Sequence, residues 1–521
     1  WVLSFGTPRF IGQLEIRYTD GTSEVVVSDT TRKVEKSAVV FDMLYDGEHY
    51  DARLEYPGWD TPEFDDSNWL TAVWRKAPEG KMKAQMSYAD KVMEQLEPVA
   101  VDRLPNGNYR VDFGEEISGW VRLSGINGKA GHRIRIRYLS ESPNGANSYT
   151  LNGKGNESYA ARFTWFVFRT VEIEGWPGTL TADNLVAEAV YTAVGTVGEF
   201  NCSNSLFNTI NKIWKRTQTD NMHGGIASDC PHRERNAYTG DGQVVMSTVT
   251  HHFDVAAFYK KWIEDIAGAQ DKTTGYVPNG APWQPGCGGG VAWGAAIAVM
   301  PWEFYQVYGD KDILASTYEG MKGYLKYMSQ WVDSNGIMHQ KAPDPEQPHE
   351  WMNLGEWCPP GKFPPTELVH TFYYWLCTYN TGLSAQVLGK QAEAKQLLAQ
   401  ASATRDAFVK HFYSSEAATF GKYGANIFAL KMGLPDSIRQ RVVSTVETDM
   451  KEAGGHLDTG IFGTRYLFET LAENGLNELA YNALNKTTFP GFGYWIQSGA
   501  TTTWETWIGE YSHNHPMFGG G

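Results

Sequence analysis

The stretch DCPHRERNAYTGD, residues 229–241, holds the densest group of side chains that could do chemistry. Three carboxylates, Asp229, Glu234 and Asp241, lie in it beside Arg233. Its flanks are uncharged and its Cys-Pro and Gly-Asp-Gly steps indicate a shaped loop, so a solvated charge run is the weaker interpretation. Carboxylates held close together can have their pKa values driven apart, so that one stays protonated while another stays ionised beside an arginine. Glycoside hydrolysis needs this division, with one acid to protonate the leaving oxygen and one base to activate water.

The same stretch resembles the signature of the glycoside hydrolase family 78 α-L-rhamnosidases. The matching positions are Asp229-Cys230-Pro231, Arg233-Glu234-Arg235, Tyr238 and Gly240-Asp241. The resemblance implies a multidomain protein in which N-terminal β-sandwich modules precede an (α/α)6 barrel, a six-hairpin toroid, that hydrolyses α-L-rhamnosides with inversion. The likeness continues along nearly the whole chain, through the segments 51–69, 111–123, 163–175, 456–467, 493–507 and 512–520.

The resemblance also implies which carboxylates carry the reaction. Glu234 matches the family's general acid, and Glu505 in the segment TTTWETW matches its general base. We expect repulsion from Asp229 and Asp241 to raise the pKa of Glu234 toward neutrality. In an inverting enzyme the two carboxyl groups stand roughly 6.5–9.5 Å apart, which leaves room for a water molecule. Glu510 is a competing base that falls outside the matched motif.

A sugar-binding set follows from the matched positions and the aromatic residues beside them. Each member has a plainer alternative, because an arginine can orient a carboxylate, an aspartate can cap a helix, and a lone histidine or tryptophan can belong to the core. The chain has Tyr238 where the family usually has tryptophan, and Ala295 where it commonly has an acidic residue that Glu356 could replace. The predicted substrate-binding residues are Asp229, Arg233, Tyr238, Asp241, Trp293, Trp357, Trp504 and His515.

The composition limits the partners of the protein. It has 45 Lys and Arg against 60 Asp and Glu, and this net charge of −15 repels nucleic acid and anionic membranes. The sequence contains no apolar run of the roughly 18 residues that membrane insertion requires. We predict no metal and no other cofactor, because the sequence has no HExxH motif, no EF-hand loop and no CxxC pair. Aromatic residues reach 13%, with 19 tryptophans, which suits rings that stack on sugars as well as core packing.

The expected partner is an oligosaccharide, polysaccharide or glycoside that contains L-rhamnose, bound by a monomer or homodimer. A periplasmic or secreted location is favoured over the cytoplasm for a bacterial carbohydrate-degrading enzyme. The chain opens directly on strand-like residues, so we expect a fragment whose first module lacks its N-terminal half. Three alternatives stay open: a related (α/α)6 glycosidase acting on another sugar, a polysaccharide lyase, and an inactive sugar-binding protein. The two matched glutamates and the acidic composition favour the hydrolase.

Two periodicities divide the chain into the elements that must position these residues. Alternation up to about residue 195 predicts strands, with a hairpin at Asp20-Gly21. From about residue 203 the apolar period becomes helical. We predict a partial, galactose-binding-like β-sandwich over 1–80, a second β-sandwich over 81–198 and the barrel over 199–521.

Two groups of tryptophans are given different roles. Trp69 and Trp74 are predicted to plug the core of the first sandwich, whereas Trp283 and Trp351 lie in long loops between helices. Long loops in a compact domain are usually functional. Helices are predicted over 241–268, 291–309, 311–332, 366–388, 391–412, 436–450, 458–474 and 476–485.

Overall fold

The structure is a computed structural model that describes residues 9–77, 81–139, 141, 145–282, 289–342, 345–346, 350, 352–422 and 424–520. Strands dominate the chain as far as Thr192 and helices dominate from Ser205 onward, which is the predicted order. The loop residues Trp283 and Trp351 lie outside the described residues. Among the described helices, none has the length and apolar character needed to cross a bilayer.

The N-terminal strands follow the alternation in the sequence. The first two form the predicted hairpin, in which Gln13 pairs with Val27 and Gly21 takes the positive φ of 88° that the turn requires. The strands are β1 (Gln13–Arg17), β2 (Ser23–Val27), β3 (Lys33–Val34), β4 (Val39–Met43), β5 (Gly47–Asp51), β6 (Leu70–Thr71), β7 (Asp90–Leu96), β8 (Ala100–Arg103), β9 (Tyr109–Ile126), β10 (Arg133–Leu139), β11 (Ala146–Thr150), β12 (Glu157–Tyr159), β13 (Phe166–Glu174), β14 (Leu185–Thr192), β15 (Met222–His223), β16 (Ile226–Ala227), β17 (Gly289–Gly290) and β18 (Met352–Leu354).

Ten of these strands form one sheet. Its order is β4-β5-β11-β10-β13-β9-β14-β7, and β8 and β12 also pair with β9. Alternate residues of the central strand β9, among them Val111, Val121 and Leu123, are fully buried in the β core. Strands β4 and β5 join the sheet through the parallel pair β5–β11. One sheet therefore spans the boundary predicted at residue 80, and the domain limits stay predictions.

The tryptophans assigned to the first sandwich core lie closer to the surface than predicted. Trp74 is 71% exposed, because strand β6 ends at Thr71 and the chain after it leaves the paired strands. Trp69 is half-buried and packs edge-on against Tyr56 and Phe64, with ring centroids 5.4 Å apart in each pair. The prediction is wrong for Trp74, whereas Trp69 is half-buried against the rings of Tyr56 and Phe64.

The helical part closes into a ring, because its first helix packs against its last. Its core contains the fully buried rings of Trp262, Trp495 and Tyr324. The helices are α1 (Ser205–Asp220), α2 (Thr239–His252), α3 (Ala256–Ala269), α4 (Val291–Gly294), α5 (Ala296–Tyr308), α6 (Lys311–Met328), α7 (Thr366–Val387), α8 (Gln391–Phe412), α9 (Ala425–Lys431), α10 (Asp436–Glu452), α11 (Ile461–Glu473), α12 (Asn477–Leu484) and α13 (Phe492–Gln497).

The helix predicted over 241–268 is two helices, α2 and α3. The chain is extended at Phe253, which forms a bridge with Thr196, and the N–H of Asp254 donates to the carbonyl of Gly195. Contacts with the end of the β part thus interrupt an otherwise continuous helical pattern. The break ends α2 at His252, and the acidic stretch 229–241 runs into the first turn of this helix.

A polar interface joins the ten-stranded sheet to the helical part. The N–H of Ser118 on β9 donates to Asp220 Oδ1 at 2.9 Å, and the Ser118 hydroxyl lies 2.8 Å from His223 Nε2. The side-chain amide of Asn514 donates to Glu116 Oε1 and to Asp220 Oδ2, both at 2.9 Å. Burial raises the pKa of Asp220 to about 8, and both of its carboxyl oxygens accept hydrogen bonds, one from Ser118 and one from Asn514.

Candidate active site

Two hydrogen bonds between Asp229 and Asn236 close the loop between β16 and α2. The N–H of Asp229 donates to the carbonyl of Asn236 at 3.1 Å, and the N–H of Asn236 donates to Asp229 Oδ1 at 3.3 Å. Between these points Arg235 has a φ of +52°, a left-handed conformation that is uncommon for residues other than glycine. The tight turn brings the side chains of Asp229 and Glu234 to the same end of the loop.

Arg233 links the two glutamates that the sequence placed far apart. Its Nε donates to Glu234 Oε2 at 2.5 Å and its Nη2 donates to Glu505 Oε2 at 3.2 Å, while Asp229 Oδ2 lies 3.9 Å from Nη2. Glu505 is 4% exposed, and its Oε2 also accepts the N–H of Ser512. The structure thus brings Glu234 and Glu505 onto one guanidinium, whereas Glu510 is exposed.

Cys230 is part of this cluster, and the sequence reasoning did not single it out. Its Sγ lies 3.1 Å from both Asp229 Oδ2 and Glu234 Oε2. Asp229, Cys230 and Glu234 each offer a ligand atom within 4.8 Å of the others, a grouping that could hold a metal ion. Burial raises the pKa of the Cys230 thiol well above its usual value, which opposes the thiolate that a metal needs, and Arg233 already occupies Glu234 Oε2. The absence of a metal stays a prediction.

The charges in the cluster differ from those predicted. Burial and the nearby charge of Glu234 raise the pKa of Asp229 to about 7, and burial raises the pKa of Asp241 and of Glu505. Burial also acts to raise the pKa of Glu234, but hydrogen bonds from Arg233 and Cys230 outweigh it and the pKa is lowered. The expected upward shift of Glu234 is wrong, because the arginine lies closer to its carboxylate than the acidic neighbours do.

A second group of predicted residues lies beside the carboxylates at the start of α2. Trp293 is buried and hydrogen-bonds to the Asp241 carboxylate, whose Oδ1 has no hydrogen-bond partner among the described residues. His515 Nε2 lies 3.6 Å from that oxygen, and burial lowers the pKa of His515, so its ring is neutral. Trp357 meets Trp293 edge-on with ring centroids 6.4 Å apart. Buried polar atoms that lack partners beside aromatic faces suit the binding of a polyol.

Two of the predicted sugar-binding residues, Tyr238 and Trp504, make contacts with other parts of the protein. Tyr238 occupies the N-cap position of α2 and its backbone bridges to Gly280, while Asp241 lies in the first turn without capping the helix. Trp504 is 9% exposed and packs 4.6 Å from the His513 ring. The structure therefore places Tyr238 next to the cluster and Trp504 directly before Glu505, and their contact with a sugar stays a prediction.

Glu356 is already engaged by backbone groups. Its two carboxylate oxygens accept the N–H groups of Trp357, Phe462 and Gly463, the last two in the first turn of α11, at 2.8–2.9 Å. Burial raises the pKa of Glu356 to about 7, although the hydrogen bonds from the three N–H groups act to lower it. A carboxylate at a helix N-terminus is stabilised by the helix dipole. Its geometry supports a role in fixing α11 next to Trp357 rather than one in replacing the acidic residue absent at position 295.

The β part contacts two segments of the site, and the sequence reasoning missed these contacts. Glu141 lies 2.5 Å from His232 on the loop between β16 and α2, here called the Glu234 loop, and 2.5 Å from His513 on the segment after α13, here called the Glu505 loop. Tyr45 donates its hydroxyl to the carbonyl oxygen of Glu234 at 2.7 Å. Glu141 and Tyr45 lie outside the matched catalytic motif and are remote in sequence, so no local signal could have assigned them to the site.

Fold and site together define a class, the six-hairpin glycosidases with β-rich N-terminal domains. A family model described as the bacterial alpha-L-rhamnosidase 6 hairpin glycosidase domain matches residues 195–520. The models for the alpha-L-rhamnosidase N-terminal domain and for the bacterial alpha-L-rhamnosidase concanavalin-like domain match residues 3–94 and 102–191. The chain belongs to the α-L-rhamnosidases of glycoside hydrolase family 78, and the predicted fold class is confirmed.

Individual relatives agree with the family. An alpha-L-rhamnosidase of Formosa agariphila is 32% identical over 99% of this chain and 58% of its own length, and one of Streptomyces avermitilis is 31% identical over 96% and 49%. The solved alpha-L-rhamnosidase from Dictyoglumus thermophilum is 33% identical with a TM-score of 0.90, covering 98% of this chain and 60% of that one. The Streptomyces avermitilis structure complexed with L-rhamnose is 29% identical with a TM-score of 0.90, over 98% and 51%. The chain thus spans about half to three fifths of these relatives.

Proposed function

We propose that this chain hydrolyses terminal α-L-rhamnosides with inversion at the anomeric carbon, with Glu234 as general acid and Glu505 as general base. The observation that carries the proposal is the pair of glutamates joined by the Arg233 guanidinium. The arrangement leaves one carboxyl for the leaving oxygen and one for a water molecule, which is the division that glycoside hydrolysis requires. The relative from Streptomyces avermitilis that is solved with L-rhamnose supports the choice of sugar.

The proton for the general acid is held next to Glu234. Asp229 has a pKa of about 7, so it carries a proton over much of the neutral and acidic range, and its carboxylate lies beside Glu234 across the Cys230 thiol. Arg233 keeps Glu234 ionised in the unliganded site. A sugar whose hydroxyl groups engage Arg233 weakens that hold and raises the pKa of Glu234. The proton can then pass to Glu234, which delivers it to the glycosidic oxygen.

The reaction then proceeds by one displacement. Glu234 donates its proton to the leaving oxygen as the bond from that oxygen to the anomeric carbon breaks. Glu505, with its pKa raised by burial, accepts a proton from the water that attacks the opposite face. The products are the free aglycone and β-L-rhamnose, with Asp229 and Glu234 ionised and Glu505 protonated, until Glu505 releases its proton to solvent and Asp229 takes one up. Asp229, after it has passed on its proton, carries a negative charge that stabilises the positive charge developing on the sugar ring.

Aromatic and polar groups next to the carboxylates fit a deoxysugar. Trp293 and Trp357 form an apolar corner, which suits the methyl-bearing edge of rhamnose. Asp241 Oδ1 and His515 Nδ1 are buried without hydrogen-bond partners among the described residues, so each is available to a sugar hydroxyl. A sugar with the matching hydroxyl would form hydrogen bonds to these two atoms, whereas a sugar that lacks it would leave them unpaired. The site therefore discriminates strongly against sugars that lack the hydroxyl.

Hydrolysis of p-nitrophenyl α-L-rhamnoside by the wild type, Glu234→Gln and Glu505→Gln tests the proposal. We expect Glu505→Gln to lose roughly 10²- to 10⁴-fold in kcat, the usual worth of a general base, and Glu234→Gln to lose activity on this substrate but less than on phenyl α-L-rhamnoside, whose leaving group depends more on the acid. Glu510→Gln, which changes an exposed glutamate five positions from Glu505, is the matched control and should retain full activity. Proton NMR of the first product should show the β anomer.

Each part of the proposal can fail separately. Full activity in both Glu234→Gln and Glu505→Gln would remove the catalytic assignment. Release of the α anomer would contradict inversion. An unsaturated product from a uronate-containing polymer would make the chain a lyase.

A further inference from the structure

Aromatic side chains of the β part pack against Arg235 in the Glu234 loop. The Arg235 guanidinium lies 3.8 Å from the centroid of the Trp165 ring and 4.9 Å from that of Tyr45. On its other face Trp165 is parallel to the His223 ring, with centroids 3.8 Å apart and an angle of 6°. A guanidinium over an aromatic face is attracted by the ring's negative face, and the attraction strengthens where water is excluded. Arg235 thus ties the loop to both Tyr45 and Trp165.

Directional hydrogen bonds accompany the stack. The Tyr45 hydroxyl donates to the carbonyl oxygen of Glu234 at 2.7 Å. Arg235 Nη1 donates to the carbonyl of Leu44 at 2.9 Å, and its Nε donates to the carbonyl of Pro231 at 2.8 Å. The peptide that joins Glu234 to Arg235 is therefore held in two ways: its carbonyl oxygen accepts from Tyr45, and the Arg235 side chain donates to the backbone of Leu44 and Pro231.

These contacts account for the backbone conformation of Arg235. A positive φ at a residue that is not glycine persists only where the surroundings hold it in place. The φ of +52° sends neighbouring side chains to different partners: Glu234 to Arg233 and Cys230, and Arg235 to the rings of the β part. The orientation of the Glu234 carboxylate and the seating of Arg235 are thus coupled through one peptide unit.

We propose that Tyr45 of the β part is a positioning residue for the acid Glu234. The inference rests on the proposed function, because it assumes that Glu234 donates the proton to the leaving oxygen. Proton transfer depends steeply on the distance and angle between the two oxygens. The Tyr45 hydroxyl fixes the carbonyl of Glu234 and thereby the direction in which its side chain leaves the backbone.

The inference predicts a dependence on the leaving group that damage elsewhere would not produce. A phenol that leaves readily as its anion needs little help from a general acid, whereas a poor leaving group needs the proton in the transition state. Loss of Tyr45's hydroxyl should therefore slow substrates with poor leaving groups and spare those with good ones. A disturbed base or a loosened sugar site would slow both kinds alike.

The experiment measures kcat/KM for aryl α-L-rhamnosides from 2,4-dinitrophenyl to phenyl. It compares the wild type, Tyr45→Phe, Tyr50→Phe and Glu234→Gln. Tyr50→Phe is the matched control, because it removes a hydroxyl that donates to Glu55 at 2.9 Å in the same part of the protein, and the bond has no contact with the loop. Tyr45→Phe keeps the ring beside Arg235, so the fold is retained.

We expect Tyr45→Phe to lose about tenfold on the phenyl rhamnoside, the effect of about 1.4 kcal/mol, and less than about twofold on the dinitrophenyl rhamnoside. Tyr50→Phe should match the wild type on both. An equal loss on both substrates, or no loss on either, overturns the positioning role. If Glu234→Gln shows no leaving-group dependence, it is the assignment of Glu234 as acid that fails, and the two failures are distinguished.

Discussion

Replacement of Glu141 by glutamine tests whether one carboxylate holds the Glu234 loop and the Glu505 loop together. Glu141 lies 2.5 Å from His232 on the Glu234 loop, and it accepts from both the backbone N–H and the ring of His513 on the Glu505 loop. Its hydrogen bonds to the two histidines outweigh burial and lower its pKa from 4.5 to about 2. Glutamine keeps the size of the side chain but removes the charge and one of the two acceptor oxygens, so the variant removes the charged hydrogen bonds to the histidines.

The size of the effect follows from that pKa. A fall from 4.5 to about 2 corresponds to about 3 kcal/mol of folding free energy, since each tenfold change in an equilibrium is worth about 1.4 kcal/mol. Because the folded pKa is lowered, this stabilisation is present above pH 4.5 and disappears as the pH falls toward 2. The pKa of His513 shifts in the opposite direction, because a hydrogen bond to Glu141 raises it. The stability that His513 contributes is therefore present below pH 6.5 and is lost as the pH rises through its raised pKa. The interactions of Glu141 with the two loops are strongest between about pH 4.5 and 6.5.

Urea unfolding from pH 6 to pH 3 measures the contribution directly. We expect Glu141→Gln to lower the free energy of unfolding by about 2–3 kcal/mol at pH 6, with the difference about halved at pH 3. Glu174→Gln is the control, because its ion pairs with Arg135 and Arg137, at 3.5–3.6 Å, are long and partly exposed and are worth at most about 1 kcal/mol. A difference for Glu141→Gln that is no larger than the control, or that does not change with pH, would refute the reasoning.

Three further perturbations follow from the site. Arg233→Met removes the hydrogen bond that lowers the pKa of Glu234, so the basic limb of the pH profile of kcat/KM should move upward while kcat falls about 100-fold; a limb that stays in place would contradict this. Glu356→Ala leaves three backbone N–H groups without a partner and should cost about 2–4 kcal/mol in urea unfolding, and a loss below about 1 kcal/mol would contradict it. Gly240→Ala places a Cβ 2.7–2.9 Å from the Trp293 ring, so the ring must shift and kcat/KM for p-nitrophenyl α-L-rhamnoside should fall about tenfold; an unchanged value would show that Trp293 does not meet the sugar.

Periodicity and motif together predicted most of the framework. The long helices α6, α8 and α10 and the hairpin at Asp20-Gly21 follow patterns that extend over many residues, so local sequence determines them. Two short helices, α9 and α13, were not predicted, because one or two turns carry too little periodicity to be recognised. The break within 241–268 arises from contacts at Phe253 with a distant strand end, which a local pattern does not contain.

The site illustrates the same division. The resemblance led to Glu234 and Glu505, and the structure brings both to Arg233. The predicted direction of the Glu234 pKa shift was wrong, because the sequence places two arginines and two aspartates near it, and only the folded loop decides which of them is closest. Glu141 and Tyr45 contact the Glu234 loop from the β part of the molecule, and these contacts depend on how the two parts pack, which the spacing of residues in the sequence does not contain.

The polar joint between β9 and the helical ring has a consequence for engineering by module exchange. Apolar surfaces tolerate small slides against each other, whereas hydrogen bonds such as those of Ser118 and Asn514 to Asp220 are satisfied in only one relative orientation. A β module grafted from a distant relative would have to reproduce this alignment as well as bury its own core. We expect a chimera that preserves the hydrophobic contacts but shifts this interface by about an ångström to fold and to hold Glu234 and Glu505 in an altered relative position.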